Sequence, residues 1–362
     1  MSASDLWTRD MLAPVGRLPT EQVRQLSESA DFGTTVTEHM VMLNWSAEQG
    51  WHDGIVCPFG DLTINPVMSG LHNGQVVFEG LKVFRQSDGG LAGFRVVDHS
   101  RRLAASAHRL ALPALPEDLF IASISELLQV DERWIPNGED RSLYVRPTIF
   151  GTESTLALRP ARTCTYLLLA FPTSAFFGQK AGSIAVWATT DYSRAAPGGT
   201  GEAKCAGNYA AGFIAQQQAL AHDCQQVLWL DAAEKRWIEE MGGMNVFWMD
   251  AGALVTPPLS GTLLRGITRD SILALAARMG IPVEQRRVSL GEFCQRVAAG
   301  KITEVFACGT AAVIAPIGRI ATTDGDLSIG GGPVTTRLRK VLTDIQYGRA
   351  ADTEGWMFPF RW

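Results

Sequence analysis

The sequence predicts a mixed α/β chain organised as two domains, and three observations lead there. Its 362 residues exceed what one small hydrophobic core organises, so two compact units or one large α/β domain are expected. Strand-like and helix-like apolar periods alternate along the chain, with no internal repeat of the kind a solenoid carries. Residues 172–182, PTSAFFGQKAG, concentrate turn-forming residues between a strand pattern and the next apolar run, as a linker does. The expected division is 1–173, a linker at 174–182, and 183–362.

In the first half, residues 39–45 and 54–59 alternate as strands and are punctuated by Gly60, Asp61 and Asn65. After Asp98, Leu103, Ala107 and Leu110 recur at helical spacing, which puts Arg102 in the first turns of a helix. A second helix is predicted over 116–130, with Phe120, Ile124, Leu127 and Leu128 on one face. Residues 143–150 read as a strand. Side chains alternate across a sheet, so Tyr144, Arg146 and Thr148 share one face, a phenol beside a guanidinium. Another strand at 166–171 runs into the linker. The second half reads as strands at 183–190, 226–231 and 246–257, a helix between Asn208 and Asp223, and a helix over 268–279. The N-terminus of that last helix suits an anion.

Composition narrows the function. With 46% hydrophobic and 19% charged residues of both signs, the chain reads as globular rather than disordered. A net charge of -5 and a pI near 5.7 give no electrostatic reason to bind nucleic acid or an anionic membrane. Apolar runs such as 167–171 are too short to cross a bilayer, and MSASDLWTRDML shows no secretory pattern, so a soluble cytoplasmic protein is expected. The six cysteines form no CxxC pair and the six histidines no HExxH, so no catalytic metal is expected. Small-molecule chemistry remains.

Residues 197–209, PGGTGEAKCAGNY, deliver one lysine from a glycine-rich loop directly before an apolar helix. A nucleotide phosphate loop is one reading, but Ala203 stands where GxxxxGK[ST] has its second glycine and Cys205 where the magnesium-binding hydroxyl belongs. A Schiff-base lysine is another. Such an amine is held on a fixed scaffold and partly desolvated, so that its neutral, nucleophilic form is accessible. An ordinary exposed loop lysine is the third reading, and the loop alone does not choose.

The wider pattern does. EAKCAGNYA at 202–210, EEMGGMNVF at 239–247, LLRGITRDS at 263–271 and ACGTAAVIAP at 307–316 resemble, in order and spacing, the branched-chain aminotransferases of fold type IV among pyridoxal 5′-phosphate (PLP) enzymes. HNGQVVFEGLKVFR at 72–85, DHSRRL at 98–103, SLYVRP at 142–147 and IQYGRAADTEGWMFPF at 345–360 extend the likeness from about Phe32 almost to the C-terminus. It looks closest to the actinobacterial and mammalian subgroup. The resemblance implies a two-domain α/β (α+β) fold of the D-amino-acid aminotransferase type. Its smaller N-terminal α/β domain would be followed by a larger C-terminal domain with a β-barrel-like core. It further implies a cytoplasmic homodimer that moves amino groups between branched-chain L-amino acids and 2-oxoglutarate by a ping-pong mechanism.

Roles follow from the matched motifs. Lys204 would be the Schiff-base and proton-transfer lysine, Glu240 the carboxylate facing the pyridine nitrogen, with Glu239 a solvated neighbour, and Tyr209 the partner of the phenolic oxygen. Arg102, Ile267, Thr268, Gly309 and Thr310 would cup the phosphate. Thr256, Ala311 and Ala312 would meet the substrate α-carboxylate. Phe32, Asn73, Phe78 and Tyr144 would wall an apolar pocket, and Arg146 would accept the distal carboxylate of glutamate. No metal site is implied.

Two departures stand out. The family commonly has tyrosine after the histidine where this chain has His72-Asn73, and Arg265 replaces the usual proline of LLPGITRDS. A specialised aminotransferase acting on a related amino acid, or a PLP-binding protein without turnover, therefore stays open beside the branched-chain reading. D-amino-acid transaminases and aminodeoxychorismate lyases share the lysine and glutamate, but FEGLK and SLYVRP point to the branched-chain group. Cys205 and Cys308 are expected to be buried, inert thiols.

Overall fold

A computed structural model of the chain describes residues 6–11, 16–174, 176 and 182–362. Much of the expected linker, at 175 and 177–181, lies outside the described residues. Two compact units result: Met1–Phe176 with Ala203–Ala206 and Ile345–Trp362, and Phe177–Glu202 with Gly207–Asp344. The chain's end returns to the first unit. There the strand Met357–Phe360 pairs antiparallel with Leu91–Phe94, and Tyr347 packs edge-on against Phe84 with centroids 5.0 Å apart.

The first unit is built on a nine-stranded sheet. His39–Ser46 lies between Gly50–Pro58 and Thr163–Thr173. Thr163–Thr173 pairs along its length with Ser142–Gly151, which in turn holds Val76–Phe78 and Leu81–Arg85. Helices Val96–Arg109 and Glu117–Asp131 cover the sheet, joining Leu103, Ala107, Phe120, Ile124, Leu127 and Leu128 to Val41, Leu43 and Val145 in one core. Each such large apolar side chain, fully buried, contributes roughly 1.5–3 kcal/mol. The first of these helices starts two residues before Asp98, after Arg95 in the left-handed region (φ +53°).

The second unit contains a closed ring of six strands. Ile184–Ala188 pairs in parallel with Gln226–Leu230, and this strand antiparallel with Ile238–Met241. Ile238–Met241 turns into Met244–Asp250, which pairs with Ile302–Gly309. Ile302–Gly309 pairs with Val313–Thr322, and Val313–Thr322 returns to Ile184–Ala188. Closure leaves none of the six as an open edge, and the expected barrel-like core is present. The single strand read at 246–257 is in fact two, Met244–Asp250 and Ala253–Thr256, folded back at Ala251 (φ +48°) and Gly252 (φ +91°). The helix read between Asn208 and Asp223 is broken at Gly212 into Ala206–Ala210 and Phe213–Ala221. Among the described residues no helix is long and apolar enough to cross a membrane.

Candidate active site

In the first unit, Lys204 is pinned by its backbone. Its carbonyl accepts from Phe78 N at 3.0 Å, its own N–H donates to Ser106 Oγ at 2.9 Å, and Cys205 forms a bridge with Val77. The half-buried side chain carries Nζ to 4.9 Å from the centroid of the Phe78 ring. The Arg146 guanidinium lies 4.9 Å from the same centroid and 5.4 Å from that of Tyr144, so one phenyl ring touches two cations.

Tyr144 stacks on Phe171 (5.0 Å, 19°), and Phe32 meets both edge-on at 5.0 and 5.1 Å. Gly80 makes room for the phenol: a Cβ there would lie 1.7 Å from the Tyr144 hydroxyl. Arg146 Nε is buried without a hydrogen-bond partner, and among the described residues no carboxylate forms an ion pair with Arg146. Asn73 is not part of this wall. It ends the short helix Ser69–Asn73 and is exposed. Its neighbour His72 bonds the Pro66 carbonyl at 2.7 Å.

Between Phe78 and Gly80 stands a fully buried carboxylate. Glu79 accepts from Arg102 Nε at 2.6 Å and Nη2 at 2.9 Å, from His99 Nδ1 at 2.6 Å and from Gly80 N at 3.0 Å. Burial alone would raise its pKa, but the Arg102 charge and the His99 contact outweigh that and hold the carboxyl far below its ordinary range. Burial pulls His99 the other way from Glu79, and the net shift is downward, favouring the neutral ring.

In the second unit the register across the barrel sets Glu240 opposite Asn245 and Asn245 opposite Cys308. Glu240 Oε1 accepts from Asn245 Nδ2 at 3.1 Å and Leu264 N at 2.6 Å, and Oε2 pairs with Arg194 Nε at 2.9 Å. Asn245 also reaches the helix start: a Cβ on Gly266, the N-cap of Ile267–Arg278, would fall 1.9 Å from its Oδ1. The N-cap glycine brings no side chain of its own, and Ile267 and Thr268 in the first turn are buried.

The same corner holds Tyr209 and the Gly309–Thr310 turn. A Cβ on Gly243 would lie 3.2 Å from Tyr209 Cε1, and one on Gly309 3.1 Å from Met244 Cγ. The turn continues through Ala311 and Ala312 to Val313 (φ +60°), and Arg339 props it by donating to the carbonyls of Ala312 (3.3 Å) and Ile314 (2.9 Å).

Two expectations need correcting here. Thr256 is buried and its hydroxyl donates to the Val246 carbonyl at 2.8 Å, so its proton is committed to the backbone rather than offered to a carboxylate. Glu239 is half-buried and accepts from Thr262 Oγ1 at 2.6 Å, and burial raises its pKa. Arg265, the departure before Gly266, is exposed and reaches Glu202 at 3.5 Å. Cys205 and Cys308 are both buried, and burial pushes the Cys308 thiol up.

Residues 76–320 match the family described as amino-transferase class IV. The chain belongs to the class IV aminotransferases. The branched-chain-amino-acid aminotransferase of Mycolicibacterium smegmatis is 47% identical over 347 residues, covering 93% of this chain and 94% of its own. Among solved structures, the Escherichia coli branched-chain amino acid aminotransferase matches with a TM-score of 0.75 at 28% identity, over 90% of this chain and 100% of that one. The branched-chain aminotransferase of the thermophilic archaeon Thermoproteus uzoniensis, solved with norvaline, matches at 0.73 and 25%, over 89% and 100%. A further branched-chain amino acid aminotransferase, complexed with N-(5′-phosphopyridoxyl)-L-glutamate, matches at 0.71 and 26%, over 88% and 98%. The six-strand barrel of this class IV aminotransferase is the one those fold type IV structures share.

Glu79, His99, Arg194, Asn245 and Arg339 escaped the sequence reading although each braces an expected site residue or turn. Glu79 and Asn245 lie inside recognised motifs, at FEG and GGMN. Folding lowers the Glu79 carboxyl from its ordinary value of 4.5, so its contribution is complete above that pH and is lost as pH falls through the folded value. Glu79→Gln is expected to cost about 3 kcal/mol at pH 7, since it strips a buried arginine of its charge partner, and the gap to wild type is expected to narrow only below pH 4.5. Urea unfolding at pH 7 and pH 4 checks both statements; a loss under about 1 kcal/mol at pH 7 contradicts them.

Proposed function

We propose that this chain is a PLP-dependent aminotransferase exchanging the amino group between branched-chain L-amino acids and 2-oxoglutarate. One observation carries the reading: the Lys204 amine and the Arg146 guanidinium each lie 4.9 Å from the centroid of the Phe78 ring, and Arg146 has no carboxylate partner among the described residues. A reactive amine beside an apolar wall with one spare cation suits substrates that are either aliphatic or acidic at the far end. The 47% identity to a branched-chain enzyme over nearly the whole chain supports the same substrates.

The donor set fits PLP. The start of Ile267–Arg278, where a glycine is the N-cap, suits a phosphate, and Gly243 and Gly309 leave out side chains that would crowd Tyr209 and Met244. When bound, the cofactor supplies an aldehyde carbon that captures amines and a ring that draws electron density from the substrate α-carbon.

Each residue then has a task. Lys204 holds the aldehyde carbon at rest and, once released, moves the proton between the substrate α-carbon and C4′. Glu240 holds the proton on the ring nitrogen, and Tyr209 donates to the phenolic oxygen. The amides of Ile267 and Thr268, the Gly309–Thr310 turn and the Arg102 charge meet the phosphate. The Ala311–Ala312 amides take the α-carboxylate. Phe32, Phe78 and Tyr144 exclude water from an aliphatic side chain, and Arg146 receives a distal carboxylate.

We also read the protein as a cytoplasmic homodimer. Exposed Ile64, Leu156 and Leu158 sit on loops and exposed Leu71 on the short helix Ser69–Asn73, segments tied together by the Met68–Ser154 bridge and the Ser69 N–Glu153 O bond, a surface suited to a second copy. Light scattering is expected to return twice 39.3 kDa; a monomeric mass removes the dimer.

Lys204→Ala is expected to abolish both turnover and borohydride trapping of PLP on peptide 202–210, and survival of both rejects the central assignment. Arg146→Gln is expected to raise KM for 2-oxoglutarate about tenfold, the loss of one charged contact, while changing KM for leucine much less. Rates with Leu, Ile, Val, Phe and polar amino acids decide the substrate class; negligible turnover of all three branched substrates replaces the branched-chain reading.

A further inference from the structure

Glu240 is 2% exposed, and a carboxylate so buried must be paired or take up a proton. Arg194 supplies the charge, and its own placement is fixed. While Nε meets Glu240 Oε2 at 2.9 Å, Nη2 donates to the carbonyl of Gly201 at 3.0 Å and of Thr262 at 2.5 Å. The frame has no slack, since a Cβ on Gly201 would lie 2.4 Å from the Thr262 carbonyl oxygen. The adjacent carboxylate, Glu239, is held by Thr262 Oγ1.

We infer that Arg194 is a positioning residue for the cofactor's ring nitrogen, keeping Glu240 ionised and aimed so that this carboxylate can hold the ring-nitrogen proton. The inference rests on the proposal that Glu240 faces that nitrogen. A carboxyl carrying its own proton cannot hold one on the ring. Arg194 touches the carboxylate directly, whereas any group bonded to that carboxylate lies farther from the guanidinium. Its charge therefore favours the ionised carboxylate more than it opposes a cation beyond it.

The other titratable groups near Glu240 do not replace it. Arg269 turns Nη2 to the Pro257 carbonyl (3.0 Å) and Gln285 (2.9 Å), and Cys308 is a buried thiol kept neutral by its burial. Asn245 and Leu264 N contribute neutral donors that orient Oε1.

The test is the affinity of the apoprotein for PLP relative to 1-deaza-PLP, which has carbon in place of the ring nitrogen, in wild type, Glu240→Gln, Arg194→Gln and Arg194→Lys. The ratio isolates the ring-nitrogen contact, because a merely structural loss weakens both ligands alike. Glu240→Gln is expected to erase the preference for PLP. Arg194→Gln is expected to lower it about tenfold, and Arg194→Lys, which keeps the charge but not the fork, about threefold. If Glu240→Gln erases the preference while an Arg194 variant stays within about twofold of wild type, the inference is overturned. If Glu240→Gln keeps it, the reading of Glu240 itself fails. Near-UV circular dichroism reports folding, and should the Gln variant not fold, the Lys variant decides by the same criterion.

Discussion

A lysine side chain has four rotatable bonds, so an amine that must meet one carbon atom is useful only if its Cα is fixed. Here the backbone of Lys204 is treated as an added strand residue. Phe78 donates to its carbonyl, Ser106 accepts from its amide, and Cys205 bridges Val77. The four residues Ala203–Ala206 thereby belong to the first unit, although the chain on either side belongs to the second. The strand that anchors them is only three residues long, and its own position comes from the register Val76–Phe150, Val77–Ile149 and Phe78–Thr148. One pairing thus sets the backbone of the lysine, the Phe78 ring and the carboxylate that follows, and under the proposed function it would preorganise the reacting amine.

The next constraint is charge. Each unit buries a glutamate beside an arginine: Glu79 with Arg102, and Glu240 with Arg194. Such pairs add little net stability, because desolvating two ions offsets much of their attraction. Their value is geometric, since a bidentate or multiply bonded guanidinium cannot wander. Glu79 spreads its two oxygens over Arg102, His99 and the Gly80 amide, and the lowered pKa of His99 leaves that ring a neutral donor. The orientation of Arg102 is thereby settled by Glu79.

Legibility in the sequence followed the range of the interaction. Tyr144 and Arg146 on one strand face, and the helices carrying Leu103 and Phe120, could be read because alternation and helical periods are local. The turn at Ala251–Gly252 was missed because apolar residues continue on both sides of it, so Met244–Asp250 and Ala253–Thr256 looked like one strand. The closure of the barrel and the return of Met357–Phe360 to Leu91–Phe94 depend on pairings between distant segments that no window reveals. The same limit applied to the site. The roles of Lys204, Glu240 and Tyr209 were expected from motif resemblance, whereas Arg194 stands in an aperiodic stretch between motifs. Thr256 shows the converse: a hydroxyl at a matched position says nothing of where its proton goes until Val246 is seen to accept it.

The aromatic wall makes it possible for one pocket to serve two unlike substrates under the proposed function. A guanidinium resting on ring faces is stabilised by the ring quadrupoles without an anion in contact, so Arg146 over Phe78 and Tyr144 costs less when the distal end of the pocket holds only methyl groups than a bare buried cation would. A carboxylate arriving there would gain a charged partner that no acid among the described residues already holds. An ion-paired arginine would have to break its own bond first, and an apolar residue would reject the acid outright. Under the proposed function the buried Nε of Arg146, which has no hydrogen-bond partner among the described residues, would be tolerable beside a branched aliphatic chain, and the guanidinium favourable beside the distal carboxylate of glutamate or 2-oxoglutarate.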